Sequence, residues 1–217
     1  MKILLGGLAG AALIVAEALP LQAADTVRYM ARPGSKVTIS GTSTIHDWDV
    51  VGRIIGGSFE VEPAFQTDKS LKSVKSLLTK ETNPKAQVVI PIRSLKSGNQ
   101  KMDEIMQEAM RAKKNPMIRF KLKWMVLKGE VPAAGTPVKF EVNGDLSVSG
   151  VTKNVTLPVV MERLPDGKIK FKGQTKLKMT DFGITPPSPK IPGMSLIKTG
   201  DEVTIKYEWL LAPRRKA

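Results

Sequence analysis

Ile118-Arg119-Phe120-Lys121-Leu122-Lys123-Trp124-Met125-Val126 places apolar side chains at every second position, with Arg119, Lys121 and Lys123 between them. Successive side chains of a β-strand point to opposite faces, so this spacing gives one apolar face and one basic face. Val203, Ile205, Tyr207, Trp209 and Leu211 repeat the pattern around Thr204, Lys206 and Glu208, as do Ile169 and Phe171 within Lys168–Lys172. Each apolar face must leave water. Strands closed into a barrel hide all such faces around one lumen.

Working outward, strands are expected at Val37–Val51, Gly56–Glu62, Ala86–Ile92, Ile118–Leu127, Val138–Leu146, Val155–Met161, Lys168–Met179 and Val203–Leu211. Asn143-Gly144-Asp145 reads as a bend or bulge. Ser149-Gly150 with Thr152-Lys153-Asn154 reads as a hairpin connection. Pro63–Asn83 is a Lys- and Ser-rich polar connection with one turn of structure at Leu71–Leu78. Pro186, Pro187, Pro189 and Pro192 mark a loop between Asp181 and Gly200. Lys101–Lys114 is the one convincing helix: Met102, Ile105, Met106, Ala109 and Met110 share a face, Arg111, Lys113 and Lys114 suit its C-terminal dipole, and Pro116 stops it. The Met-rich face reads either as a flexible lid or as a helix packed across a barrel end. The prediction is an all-β chain: a single antiparallel eight-stranded lipocalin-like barrel with one main α-helix.

Lys2 followed by the apolar run Ile3–Val15, and Ala23 at a cleavage position, have the layout of a secretory signal over residues 1–24. One domain, 25–217, follows, in a periplasmic or secreted location. The chain has no Cys, which excludes thiol catalysis and Cys-ligated metals. The net charge is +14, and removing Lys2 and Glu17 with the signal leaves it unchanged. Aromatic content is 5% and no nucleic-acid motif is present, so no nucleic-acid partner is expected. The basic residues read as a solvated barrel exterior, with peripheral attraction to anionic membranes as the functional alternative.

Five motifs in order carry a resemblance. They are Gly41-Thr42-Ser43-Thr44-Ile45-His46-Asp47-Trp48; Ser94-Leu95-Lys96-Ser97-Gly98-Asn99 with Met102-Asp103; Asn115-Pro116-Met117-Ile118-Arg119-Phe120; Gly144-Asp145-Leu146 with Gly150-Val151-Thr152-Lys153-Asn154-Val155; and Asp181-Phe182-Gly183-Ile184. Together they resemble the YceI-like family across almost the whole mature chain. That resemblance implies an exported lipocalin-like barrel holding a polyisoprenoid or other lipid chain. The chain departs from it at Met179, where many members carry Arg, and at Asn154, where many carry Pro.

The expected function is therefore non-catalytic binding or carrying of a long apolar lipid, polyisoprenoid or fatty-acyl, with no cofactor besides the lipid. Lumen candidates are Ile39, Ile45, Trp48, Val88, Ile90, Ile118, Phe120, Leu122, Phe140, Val142, Leu157, Val159, Phe171, Ile205 and Tyr207. His46 and Asp181 are polar candidates for the mouth. His46 is the sole histidine. Beside Asp47 it suggests a general base for a lipid hydrolase or isomerase, but no nucleophile motif accompanies it, and one His makes no His-rich metal site. A ligand-free barrel that binds a partner through its basic face is the third reading.

Overall fold

The computed structural model describes residues 26–81, 83–130, 133, 135–189 and 196–214. The segment read as a signal lies outside them. Among the described residues, eleven strands form one sheet: β1 Val27–Ala31, β2 Lys36–Ser43, β3 Trp48–Gly52, β4 Gly56–Val61, β5 Lys85–Pro91, β6 Leu95–Lys96, β7 Met117–Leu127, β8 Val138–Val148, β9 Val151–Arg163, β10 Ile169–Lys178 and β11 Thr199–Pro213. The main helix is α2, Gln100–Ala109, and a single helical turn, α1, covers Ala64–Thr67.

The ring β1-β4-β5-β7-β8-β9-β10-β11 closes where β11 pairs with β1. All its pairings are antiparallel, so this is a closed eight-stranded barrel. The three extra strands are continuations. β2 follows β1 along the same edge of β11, β3 pairs with β2, and β6 pairs with β3. Three barrel strands are thus divided into two segments each, and the chain runs up and down around the ring.

Several boundaries differ from the sequence reading, each for a local reason. Val37–Val51 is two strands. Ser43 breaks it: its hydroxyl donates to the His46 carbonyl at 2.7 Å and its N–H donates to the same oxygen at 3.1 Å. His46 therefore sits in a hairpin turn rather than within a strand. The bulge near Gly144 exists, but its extra residue is Lys123 on β7, since Leu122 faces Gly144 and Trp124 faces Asn143. The slip reverses the phase of β7, so Met125 is buried and the inward set is Ile118, Phe120, Leu122, Met125. Only Ser149 and Gly150 form the hairpin turn, both at positive φ, and Thr152–Asn154 already lie in β9.

Residues 63–83 are not merely polar: Phe65, Leu71, Val74 and Leu77 are fully buried. They plug one end of the barrel. Asp68 holds the segment, its Oδ1 accepting from Ser70 N–H and hydroxyl and its Oδ2 from those of Ser73, at 2.6–2.8 Å.

α2 starts at Asn99, whose side chain accepts from Met102 N–H at 3.1 Å. Buried Asp103 ties its first turn to the preceding loop through Ser97 N–H and hydroxyl, both at 2.7 Å, and Lys96 at 3.3 Å. Burial alone would raise the Asp103 pKa, but these partners together outweigh it and hold the carboxyl below its ordinary value. The helix ends at Ala109, earlier than the charge pattern predicts. Arg111 takes a left-handed φ of 53°. Arg111 N–H then reaches Glu108 O and Ala112 N–H reaches Gln107 O, the pair of bonds that closes a Schellman cap. A glycine is usual there. Arg111 uses the position to donate its guanidinium to Gly183 O at 3.0 Å, pinning the helix end to the late turn.

Candidate ligand-binding site

The inward faces enclose a cavity of about 950 Å³. This is near the upper end of the ~300–1,000 Å³ common for small-molecule sites. Its exposed lining residues gather at one end: Ile45, His46, Asp47 and Asp49 around the β2–β3 hairpin, Lys101 on α2, and Lys178 on β10. That end is the mouth. Met102, Ile105, Met106 and Ala109 of α2, with Met110 just after it, line its side, and Met179, Phe182, Ile184, Pro187 and Pro189 line it from the late turn and loop. The deep lining is apolar and buried: Val50, Phe59, Met125, Val142, Val159, Phe171 and Trp209.

Fourteen of the fifteen lumen candidates border this cavity: Ile39, Ile45, Trp48, Val88, Ile90, Ile118, Phe120, Leu122, Val142, Leu157, Val159, Phe171, Ile205 and Tyr207. Phe140 does not. It is 1% exposed and opposes Leu127 and Val159 in the closed-end core. His46 borders the mouth, whereas Asp181 lies on the outside of the late turn and only its neighbour Phe182 turns inward. The Met-rich α2 face, read from the sequence as a lid or as a helix packed across a barrel end, borders the cavity, whereas Met125 was missed because of the bulge. The i, i+3, i+4 methionine spacing was the available signal for α2.

Inward aromatic rings lie over glycines. A Cβ on Gly144 would stand 2.4 Å from the Phe120 ring, and one on Gly173 2.4 Å from the Tyr207 hydroxyl oxygen. Trp48 covers Gly41 in the same way. The missing side chains let large rings lie against the wall instead of filling the lumen. Tyr207 donates its hydroxyl to Pro158 O at 3.0 Å, and burial raises its pKa, so the phenol is a neutral wall element.

His46 Nδ1 lies 2.8 Å from the Asp47 main-chain oxygen, so the ring is positioned by backbone and not by the carboxylate. Among the described residues no group of three His, Asp or Glu could hold a metal ion.

Fold and site together define a closed up-and-down barrel with one open end and an apolar lumen, the class to which lipocalin-like binding barrels belong. Residues 31–210 match the YceI-like domain, and the chain belongs to the YceI-like family. No curated protein matches it. Among solved structures, the chain is similar to Burkholderia cenocepacia BcnA, at 21% identity and TM-score 0.58, covering 82% of this chain and 96% of that one. It is also similar to a polyisoprenoid binding domain from Saccharophagus degradans implicated in plant cell wall breakdown, at 14% identity and TM-score 0.61, covering 86% and 98%. A Campylobacter jejuni YceI protein matches at 19% identity and TM-score 0.50, covering 95% and 94%. At these identities the structural likeness establishes the shared fold.

Proposed function

We propose that this protein is an extracytoplasmic, non-catalytic carrier of a long apolar lipid, a polyisoprenoid or fatty-acyl chain, held tail-inward in the barrel. The observation that carries the reading is the 950 Å³ cavity, largely apolar in its depth and with its charged groups at the rim. Each methylene moved from water into such a lumen contributes about 0.8 kcal/mol, so a long chain binds tightly with little polar recognition. The polar end of the ligand rests among His46, Asp47, Asp49 and Lys101. Met179 supplies a thioether where many relatives carry Arg, which favours a weakly charged or neutral head group. Family membership and the polyisoprenoid binding domain among its structural neighbours support a lipid ligand.

The exterior supports approach to anionic membranes. Lys85, Arg119, Lys121 and Lys153 project from outward strand positions, among an excess of 34 Lys and Arg over 20 Asp and Glu. Such attraction is screened over about 8 Å at physiological salt, so vesicle binding should be salt-sensitive.

Native mass spectrometry of protein purified without detergent tests the reading. A co-purified lipid mass is expected for the wild type, and its loss is expected for Phe120→Asp, which sets a carboxylate against apolar walls. A folded Phe120→Asp variant with full lipid occupancy, or a lipid-free wild type, would overturn it.

A further inference from the structure

We infer that the closed end of the barrel carries a second site, centred on Arg163, for a small oxyanion such as a phosphate or carboxylate group. A separate pocket of about 310 Å³ opens there, lined by Tyr29, Gln66, Lys69, Arg163 and Lys168. It lies outside the aromatic plug, at the end of the barrel opposite the lumen mouth.

The guanidinium of Arg163 is held in a fixed plane. It stacks over the Phe65 ring, 4.5 Å from the centroid, and donates Nη2 to Phe65 O at 2.8 Å. That bond uses one of its five N–H donors. Among the described residues no carboxylate lies within 4.0 Å of it. A half-buried cation with no carboxylate in direct contact, attracted only from farther off by Asp68, is an unfavourable arrangement that a bound anion relieves. Burial is the largest influence on this guanidinium and acts against its charge.

The neighbours reinforce the polarity. Lys69 donates to Gln66 O at 2.9 Å, and Lys168 pairs with exposed Asp166 at 3.4 Å. Asp68 is the other nearby carboxylate, and its oxygens are taken up by Ser70 and Ser73. Three cations therefore face two carboxylates, leaving one positive charge in surplus. Burial raises the Tyr29 phenol, with Gln66 and Arg163 acting the other way, so at neutral pH the phenol is protonated and available as a donor. The pocket wall thus offers a phenol O–H, an amide, two ammonium groups and a fixed guanidinium fork. That fork matches the two-oxygen face of a phosphate or carboxylate. A purely structural Arg163, stapling Phe65 to the barrel, would be indifferent to anions.

The test is titration of the full protein with inorganic phosphate, and separately with acetate, against chloride at matched ionic strength. Calorimetry and the Arg163 side-chain ¹⁵N–¹H signal are the readouts. Saturable phosphate or acetate binding that moves the Arg163 signal is expected, and Arg163→Gln should weaken it at least tenfold. The stronger of the two anions identifies the oxyanion. Vesicles containing phosphatidic acid, compared with glycerol 3-phosphate, separate a membrane source from a soluble one. Loading the lumen with a long-chain fatty acid should leave the affinity unchanged. Should Arg163→Gln fail to fold, the double variant Lys69→Met/Lys168→Met leaves the Phe65 stack intact and should weaken binding at least fivefold. No saturable binding of either anion, or unchanged affinity in the folded variants, would overturn the proposal.

Discussion

At the closed end of the barrel Tyr29, Phe59, Phe65 and Phe171 pack at centroid distances of 5.2–6.3 Å, mostly edge to face, and Arg163 covers Phe65 from outside. At the other end Met102, Ile105 and Met106 face the cavity half-buried, beside a hairpin whose Ile45 is 48% exposed. Stiff rings with specific mutual geometry fill one end. Unbranched thioether side chains, which adapt to irregular shapes, line the other. One continuous sheet thus divides its labour: one end holds the barrel together and the other keeps an adaptable opening to the lumen.

Substitutions at the two ends should separate stability from binding. Phe65→Ala should cost about 3–5 kcal/mol, the range for deleting a buried aromatic ring. Met106→Ala should cost less than half as much, yet reduce lipid retention. Urea unfolding paired with native mass spectrometry reads both quantities. Equal stability losses at the two ends would break the comparison.

Gly144 tests the wall between them. Gly144→Ala brings a methyl into the Phe120 ring and within 2.5 Å of Lys121 O. Overpacking of this kind costs about 1–3 kcal/mol, and it drives Phe120 toward the lumen. Reduced lipid occupancy together with a lowered unfolding midpoint is expected. A variant with wild-type occupancy would mean the ring has room elsewhere.

The smallest effect concerns the helix at the mouth. The Asp103 carboxyl titrates below its ordinary value in the fold, so its contribution is fully present above the unfolded pKa of about 3.9 and is lost as pH falls through the lower folded value. Asp103→Asn weakens the bonds to Ser97 and Lys96 and should cost about 1–2 kcal/mol near neutral pH. The difference from wild type should shrink below about pH 4, measured by unfolding curves across pH. A difference that persists unchanged at pH 2–3 would locate the effect in packing rather than charge.

Much of this arrangement was legible beforehand. Alternation in Ile118–Leu122, Ile169–Phe171 and Val203–Leu211 reports inward and outward faces directly, because a half-buried strand has no other way to satisfy both sides. The period-2 signal is silent about three things. It cannot show that Lys123 is an extra residue, since a bulge reverses phase without changing composition. It cannot show that Phe65, Leu71, Val74 and Leu77 converge, since they lie in a Lys- and Ser-rich stretch with no regular period. Nor does it reveal Arg111 in a glycine's conformation, because the compensating partner, Gly183 O, is distant in sequence. The mouth was harder to read than the wall for the same reason: it is assembled from the β2–β3 hairpin, the late turn with its loop, and a helix.

The barrel's closing seam carries a consequence for how the molecule is made. β1 pairs with β11, with Tyr29 opposite Pro213, so the ring joins nearly the first described residues to nearly the last. Every other pairing in the ring is closer in sequence: β4–β5, β7–β8, β8–β9, β9–β10 and β10–β11 join consecutive strands, while β1–β4 spans β2 and β3, and β5–β7 spans β6 and the main helix. Contacts this remote in sequence form slowly, because chain entropy must be surrendered before they are gained. A chain delivered from its N-terminus can thus complete most of its meander while the lumen is still a trough. The container comes into being only with the final strand, and whatever lies in the trough at that moment is enclosed.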